Sequence, residues 1–398
     1  MASRLNPRGW AKGMLLKGLR AFEDIASVRP GAQGVVRWID SSMAGWGAAD
    51  ADPPWTREQA QAGWTEKDPV ENPGVFHVPM ADVCMFKPRD DGARNTQDRR
   101  AAVRVQPFRR IAYPGAPYLL AQRVRGIVSK RYPFPRTGAH LHGRVALLGN
   151  EVSDACNYYH FWIDTVGDFL MLREAFPPDL QPERFLISYS GQPWQEQILD
   201  MIGIMPHQVI PYADYERVTV DELLVPVRDK GAMNMTSGLV DRIRGAAGHP
   251  SVGSNPDRLL YISRGDTTRR PVRNEADVQA LMHRHGIEVK ELSGMAVIEQ
   301  MALFASARLV VATHGAGLTN LMWCEEGTKV IELLPDRHRV PCFRDICRQR
   351  KLEHQVILCP QTPAEDALSA SMEVSLQDLE AVLMAHGFRV PVPISAAG

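Results

Sequence analysis

Arg308 to Leu334 reads RLVVATHGAGLTNLMWCEEGTKVIELL, and this stretch decides the fold. An apolar run, Leu309 to Ala312, is followed by a glycine-broken turn, Thr313 to Gly317. A short helix and a second strand-like run, Lys329 to Leu333, complete the unit. Runs of this length, bounded by turns and separated by helix, read as buried strands of a doubly wound α/β sheet. Ligands of such sheets sit beyond the carboxyl ends of the strands. Gly315 and Gly317 let main chain approach a ligand, and the next helix offers N–H groups and its positive dipole end. The spacing therefore predicts a seat for a phosphate or diphosphate, with Thr313, His314 and Asn320 at its mouth. Glu332, on the following strand, is placed either to accept from a sugar hydroxyl or to pair with Arg337 or Arg339.

The same alternation extends outward in both directions. Val145 to Leu148, Arg184 to Tyr189 and Glu222 to Val227 read as strands, with helices over Asn157 to Phe176 and Trp194 to Ile202. A second series follows: strands at Arg258 to Ser263, Ile287 to Glu291 and Glu353 to Leu358, and helices at Glu275 to His285 and Ala296 to Ser306. Asn274 is expected to cap the first of these helices, with Asp277 at its third position. A terminal helix over Leu376 to His386 is capped by Ser375 and stopped by Gly387. Four segments follow from this pattern. Residues 1–140 form an N-terminal extension and the start of an acceptor domain, and 141–230 an α/β domain. Residues 231–365 form a second, Rossmann-like domain, and 366–398 a C-terminal helix and tail.

The bulk properties bound the function. A chain of 398 residues suits two domains. Lys+Arg and Asp+Glu are both 46, so no global field favours nucleic acid and any anion site must be local. Six cysteines (Cys84, Cys156, Cys324, Cys342, Cys347, Cys359) form no CxxC pair, as expected of reduced thiols in a cytoplasmic protein. No apolar run reaches the ~20 residues of a membrane span. Arg4, Arg8, Lys12, Lys17 and Arg20 lie among Leu15, Leu16, Leu19 and Phe22 at helical spacing. That basic helix either packs on the domain or makes a peripheral contact with an anionic membrane surface. Residues 41–75 read as long loops, and Lys87 to Arg110 as a basic surface loop.

Two further constellations could carry chemistry. Ser263-Arg264-Gly265-Asp266-Thr267-Thr268-Arg269-Arg270 follows a strand's carboxyl end, so its guanidinium groups could clamp a diphosphate against the glycine turn. A solvated basic loop is the plainer alternative. In NYYHFWIDTVGDFL, Asn157, His160, Asp164 and Asp168 fall on one helical stripe amid Phe161, Trp162, Phe169 and Leu170. A carboxylate beside an imidazole in apolar surroundings suits a general base. Spacing alone does not separate that role from a structural His–Asp pair. No GxSxG elbow or HExxH spacing is present, and no DxD triplet lies in an acidic neighbourhood.

Together, NYYHFWIDTVGD, SRGDTTRRPVRNE, IEQMALFASARLVVATHGAGLTN and VIELLP resemble glycosyltransferase family 61, whose bacterial members include capsular polysaccharide biosynthesis proteins. The resemblance spans roughly residues 145–360. It implies a GT-B fold, with two Rossmann-like domains facing each other across a cleft. It also implies an inverting glycosyltransferase that needs no metal or other cofactor. Arg264, Arg269 and Arg270 match the family's basic donor loop. His314, Gly315, Ala316 and Gly317 match its HGAG turn, Asn320 the asparagine after it, and Glu332 the glutamate of the next strand. Asn157, His160 and Asp164 match an N-x-x-H-x-x-x-D pattern in which the aspartate is the base, with Asp168 beside them on the acceptor side. The implied partners are a nucleotide sugar and an oligosaccharide or lipid-linked glycan acceptor. The setting would be capsular, exo- or lipopolysaccharide synthesis in the cytoplasm or at the inner face of the cell membrane. A glycan-binding GT-B module without turnover and a pyruvyl-type transferase acting on glycans are the alternatives.

Overall fold

The computed structural model describes residues 36–38, 74–86, 100–105, 109–110, 139–149, 157–211, 217–227, 235–236, 238–250, 256–265, 269–363, 367 and 369–390. The expectations for the basic N-terminal helix and for most of the 41–75 and 87–110 loops lie outside these residues. The described residues divide into two compact units, one ending at Val227 and the other beginning at Met235.

The first unit is built on a mixed sheet. Its strands are β1 (Val36–Trp38), β2 (Gly74–Phe86), β3 (Arg100–Val105), β4 (Arg109–Arg110), β5 (Ala139–Leu147), β6 (Arg184–Ile187), β7 (Val209–Pro211) and β8 (Arg217–Val227). The order is β4-β3-β2-β8-β5-β6-β7, with β1 paired to β2. β8, β5, β6 and β7 run parallel, while β2 pairs antiparallel with β1, β3 and β8. Parallel neighbours need a crossover, and helices supply it. One helical run links β5 to β6 and α2 (Pro193–Met201) links β6 to β7. Val145 to Leu148, Leu186 and Ile187 are fully covered, which explains their unbroken apolar sequence.

The linking run, α1, has three parts: α-helical Tyr158–His160, π-helical Phe161–Val166 and α-helical Gly167–Ala175. Asn157 starts it by accepting from the backbone N–H groups of Tyr159 and His160. Every residue from Phe161 to Leu172 is buried, as befits a helix inside a core. Trp194 of α2 meets the rings of Tyr158 and Phe161 edge-on at 5.4 and 5.3 Å. Such pairs add about 0.5–1.5 kcal/mol each beyond burial.

The second unit has five parallel strands. These are β9 (Arg258–Ile262), β10 (Glu288–Lys290), β11 (Ala307–Thr313), β12 (Lys329–Pro335) and β13 (Glu353–Cys359). Their order is β10-β9-β11-β12-β13. The chain leaves β9 toward β10 on one side and returns to β11 on the other, so the topological switch point lies between β9 and β11. The helices are α3 (Leu239–Ala247), α4 (Glu275–Arg284), α5 (Val297–Ala305), a 3-10 helix (Ala316–Trp323), α6 (Cys342–Arg350) and α7 (Leu376–Ala385). Tyr261, Val311, Ile331, Leu333 and Ile357 form one core with Val278, Leu281 and Met282 of α4 and Leu379 and Leu383 of α7. The C-terminal helix is thus part of this core. By the two-residue alternation, Val310, Glu332 and His354 take the opposite face, toward α5, the 3-10 helix and α6.

Two capping expectations had different outcomes. Ser375 accepts from Asp378 N–H, and Gly387 ends α7 at φ +83°. Asn274 makes no cap bond. Its side-chain amide instead pairs with both backbone groups of Val374, at 2.8 and 3.0 Å, and ties α4 to the segment before α7. Cys324, Cys342, Cys347 and Cys359 are free and buried. Burial pushes all four thiols up, which removes them as nucleophiles.

Candidate functional site

The two loops that leave β9 and β11 meet at the switch point. Arg264, two residues past the end of β9, donates from Nη1 to the His314 carbonyl at 3.1 Å and from Nη2 to the Arg269 carbonyl at 2.9 Å. A guanidinium therefore spans the crevice where ligands of this topology sit. The loop is fixed from beneath. Glu275, the first residue of α4, accepts from Tyr261 Oη at 2.8 Å and Ser263 Oγ at 2.7 Å, and Ser263 Oγ accepts from Gly265 N–H at 3.1 Å. Arg270 sits at φ +50°, a left-handed conformation uncommon for a residue with a side chain. Burial pushes its guanidinium down to about 10, and the charges of Arg264 and Arg269 add to the effect. Three arginines that repel one another are stabilised by a polyanion. Asp266, Thr267 and Thr268 lie outside the described residues.

Gly315 explains itself by space rather than backbone freedom. Its φ of 176° is open to any residue, but a Cβ there would lie 1.7 Å from Arg264 Nη1 and 2.9 Å from its Cζ. Glycine at 315 is what lets Arg264 reach the His314 carbonyl. Gly317 has no left-handed φ either, and its added Cβ would meet only Leu292 Cδ1, at 3.0 Å. The helix expected after the turn is a 3-10 helix. Ala316 and Gly317 at its start are partly exposed, whereas Thr313, His314 and Gly315 are buried. Thr313 Oγ1 is buried with no hydrogen-bond partner among the described residues. An orphan hydroxyl costs about 1–3 kcal/mol, which an arriving ligand oxygen would offset.

Beneath the turn, one carboxylate joins two imidazoles. Glu332 Oε1 lies 2.5 Å from His314 Nδ1, and Oε2 lies 2.8 Å from His354 Nε2. All three side chains are almost completely covered. Burial alone would raise the Glu332 carboxyl, but the bonds from His314 and His354 outweigh it and hold the group at about 2. For His314, burial is the largest influence and lowers its pKa. Arg270 and Arg264 also lower it, against the upward pull of Glu332. The neutral ring then donates Nδ1–H to Glu332, leaving Nε2 as the acceptor.

Two expected ligand contacts are corrected here. Glu332 pairs with neither Arg337 nor Arg339, and each of its oxygens, expected to face a sugar hydroxyl, bonds an imidazole in the interior. Asn320 is also fully buried, and its Nδ2 donates to Gln300 Oε1 at 2.9 Å and the Gly317 carbonyl at 3.2 Å. It braces the turn from behind.

In the first unit, His160 Nδ1 lies 2.7 Å from Asp164 Oδ2, one helical turn apart. Asp164 falls inside the π-helical segment and is only 3% exposed, while His160 is partly exposed. A π segment inside an α-helix frequently marks a functional position. The imidazole is the outer member of the pair, and its Nε2 makes no hydrogen bond among the described residues. The other two members of the expected stripe are structural. Asn157 is spent on the helix cap, and Asp168 accepts from Gly149 N–H at 3.0 Å, pinning the loop after β5.

Three residues that position the site were missed from sequence. Ser263 and Glu275 lie within SRGDTTRRPVRNE but carry no motif of their own. Their signal is an acid at the first position of a helix following a strand-end loop. His354 is a lone imidazole in EHQVILC, and only the β12–β13 register, Glu332 opposite Val356, puts it on the same face as Glu332.

Comparison with known proteins bears on both halves. Residues 158–331 match the family model Glycosyltransferase 61. The match begins on the first residue of α1 and ends one residue before Glu332, so it takes in the His160–Asp164 pair, the arginine loop and the HGAG turn. A 62-residue stretch is 37% identical to a beta-1,2-xylosyltransferase of Oryza sativa subsp. japonica, over 16% of this chain and 12% of that protein. The chain thus matches only a small part of that relative's length. Both matches are to glycosyltransferases.

Proposed function

We propose that this protein is a glycosyltransferase that moves a sugar from a nucleotide-sugar donor to a hydroxyl of a glycan acceptor. The observation that carries the proposal is the Arg264 guanidinium bridging the β9 and β11 loops at the switch point, with Arg269 and Arg270 beside it. A diphosphate matches this seat in charge and position. The two α/β units then act as the halves of a GT-B enzyme, donor in the second and acceptor in the first.

The chemistry follows from charge. The acceptor oxygen attacks the anomeric carbon from the face opposite the diphosphate, forming the new C–O bond as the old one breaks. Inversion results. The hydroxyl proton passes to the His160–Asp164 pair. Because Asp164 is covered, His160 Nε2 is the accepting atom and Asp164 stabilises the resulting imidazolium. The electron pair of the broken bond leaves with the diphosphate, whose charge is met by Arg264, Arg269, Arg270 and the main chain of Ala316 and Gly317. The proposed donor site uses no metal, because guanidinium groups can meet the diphosphate charge that a divalent ion would otherwise meet. The proposed acceptor is an oligosaccharide or lipid-linked glycan of a capsular, exo- or lipopolysaccharide pathway, used in the cytoplasm or at the inner face of the membrane. Among the described residues no helix is long and apolar enough to cross a membrane.

A thermal-shift panel of UDP, GDP, CMP and their sugars tests the proposal. A ligand at ~100 times its Kd stabilises by ~2.7 kcal/mol. One nucleoside diphosphate should raise the melting temperature, and its sugar should be hydrolysed slowly or transferred. Binding of a glycan without nucleotide would favour a binding module. Transfer from phosphoenolpyruvate would favour a pyruvyl-type enzyme.

A further inference from the structure

Away from the residues above, the first unit gathers two histidines and a carboxylate at one point of its sheet. His140 and His142 lie two residues apart on β5, and Asp221 lies on the neighbouring β8. His140 Nε2 bonds Asp221 Oδ1, and His142 Nδ1 lies 3.3 Å from Asp221 Oδ2. Ligand atoms of the three residues all fall within 4.8 Å of one another.

The convergence is built into the backbone. Residues two apart on a regular strand stand about 6.6–6.8 Å apart, whereas these rings stack with centroids at 4.4 Å. A bulge lies beside the pair. Leu141 pairs with Val220 and Arg144 with Glu222, so His142 and Gly143 together oppose Asp221. Gly143 takes φ +80°, and a Cβ there would also press on the Glu183 carboxylate at 2.7 Å, so the position is reserved for glycine. Its N–H donates to Asp221 Oδ2 at 3.1 Å and sets the carboxylate's orientation. Arg184 donates to the His142 carbonyl, which holds the bulge from the other side. A surface carboxylate and imidazole gain little from pairing in water, typically under about 1 kcal/mol. That gain does not account for a bulge that aims two rings at one carboxylate.

We propose that His140, His142 and Asp221 form a surface binding site for a divalent first-row transition ion such as Zn²⁺. Two imidazoles and one carboxylate are a borderline ligand set that suits Zn²⁺, Co²⁺ or Ni²⁺, whereas Mg²⁺ and Ca²⁺ seek all-oxygen shells. The His142 side chain is 83% exposed, so water can complete the coordination. The ion would staple β5 to β8 at the bulge, in the strand pair whose β5 leads into α1. Its role is stability of the first unit, independent of the donor seat.

The test uses the full chain, stripped by chelator and with any affinity tag removed. Co²⁺ titration should produce a d–d absorption band saturating at one equivalent, and Zn²⁺ should displace it and raise the melting temperature. His142→Ala, an exposed substitution, should melt as the metal-free parent does while losing the band and at least ten-fold in Zn²⁺ affinity. Asp221→Asn should weaken binding similarly. Zn²⁺ binding unchanged in both variants would overturn the proposal. So would a missing Co²⁺ band, or Ca²⁺ giving the same stabilisation at equal concentration.

Discussion

Gly315→Ala isolates the central geometric claim, that the glycine turn exists to admit Arg264. The backbone at 315 is extended and tolerates alanine, so no strain is added. The new methyl would sit 1.7 Å from Arg264 Nη1 and 2.9 Å from Cζ, and its three nearest neighbours are all atoms of that guanidinium. Non-bonded heavy atoms settle near 3.5–4 Å, so the guanidinium must retreat by about 2 Å. The side chain can swing away and the fold should survive. What is lost is the pair of bonds to the His314 and Arg269 carbonyls, and with it the charge at the switch point. A hydrogen bond involving a charged group contributes about 1.5–3 kcal/mol, so nucleoside diphosphate affinity should fall by roughly 10- to 150-fold. Calorimetry at low and high salt reads this, since the arginine contribution is partly screened. Arg264→Ala supplies the other arm of a double-mutant cycle. If Gly315→Ala acts only by expelling Arg264, the double variant should bind no worse than Arg264→Ala alone. Parent-like affinity in Gly315→Ala, or simple addition of the two losses, would refute the reasoning. Gly317→Ala should lose less, because only Leu292 Cδ1 crowds it.

Other expectations concern the remaining groups. Asp164→Asn should keep nucleotide binding and lose ~10²–10⁴ in transfer rate, with His160→Ala at least as slow; near-parent turnover in both would remove the pair from the mechanism. Transfer should survive EDTA, and a strict requirement restored by Mn²⁺ or Mg²⁺ would contradict the arginine-based donor seat. Stability should decline on acidification in two stages. His314 lies below its ordinary 6.5, so its contribution is complete above that pH and lost as pH falls beneath it. Glu332, held at about 2 against an ordinary 4.5, contributes above 4.5 and loses its contribution as pH falls toward 2. Urea midpoints should therefore drop monotonically from pH 7 to 3, and Glu332→Gln should remove the lower stage.

The sequence makes the buried parallel strands legible for a physical reason. Val145 to Leu148 and Leu309 to Ala312 are covered on both faces and read as continuous apolar runs, and Val330 to Leu334 reads as one broken only by Glu332. β2 and β3 are not legible in the same way. Pro79 and Asp82 interrupt GVFHVPMADVCMF, and Arg100 and Arg104 flank the apolar residues of β3, so neither shows a clean two-residue alternation. β2 pairs antiparallel with β3 and with β8, the latter distant in sequence, which no local pattern announces. The π segment is equally silent. Moving from i+4 to i+5 bonding over six residues barely shifts the apolar stripe, yet it is where Asp164 sits.

The neighbourhood of the candidate residues was legible in the sequence, whereas which of their side chains the protein itself engages was not. Polar residues beside a glycine turn invite assignment to the ligand, and Asn320, Glu332, Asn157 and Asp168 all drew it. Each instead spends its side chain on the protein: a turn brace, a double-histidine bridge, a helix cap and a loop pin. Burial is the discriminator, since an interior polar atom must find a protein partner or cost about 1–3 kcal/mol. Groups with more exposure at the same places, Arg264, Arg269, Arg270 and His160, are the ones to which the proposed function assigns substrate contact. This separates two classes of variant by measurement. Glu332→Leu strips two imidazoles of their partner and should cost about 1–3 kcal/mol for each, lowering the urea midpoint before any ligand is added. Arg269→Ala, at an exposed position, should leave that midpoint within ~0.5 kcal/mol of the parent and weaken only the nucleotide. Should Arg269→Ala unfold the second unit while Glu332→Leu spares it, the division drawn from burial is the wrong way round.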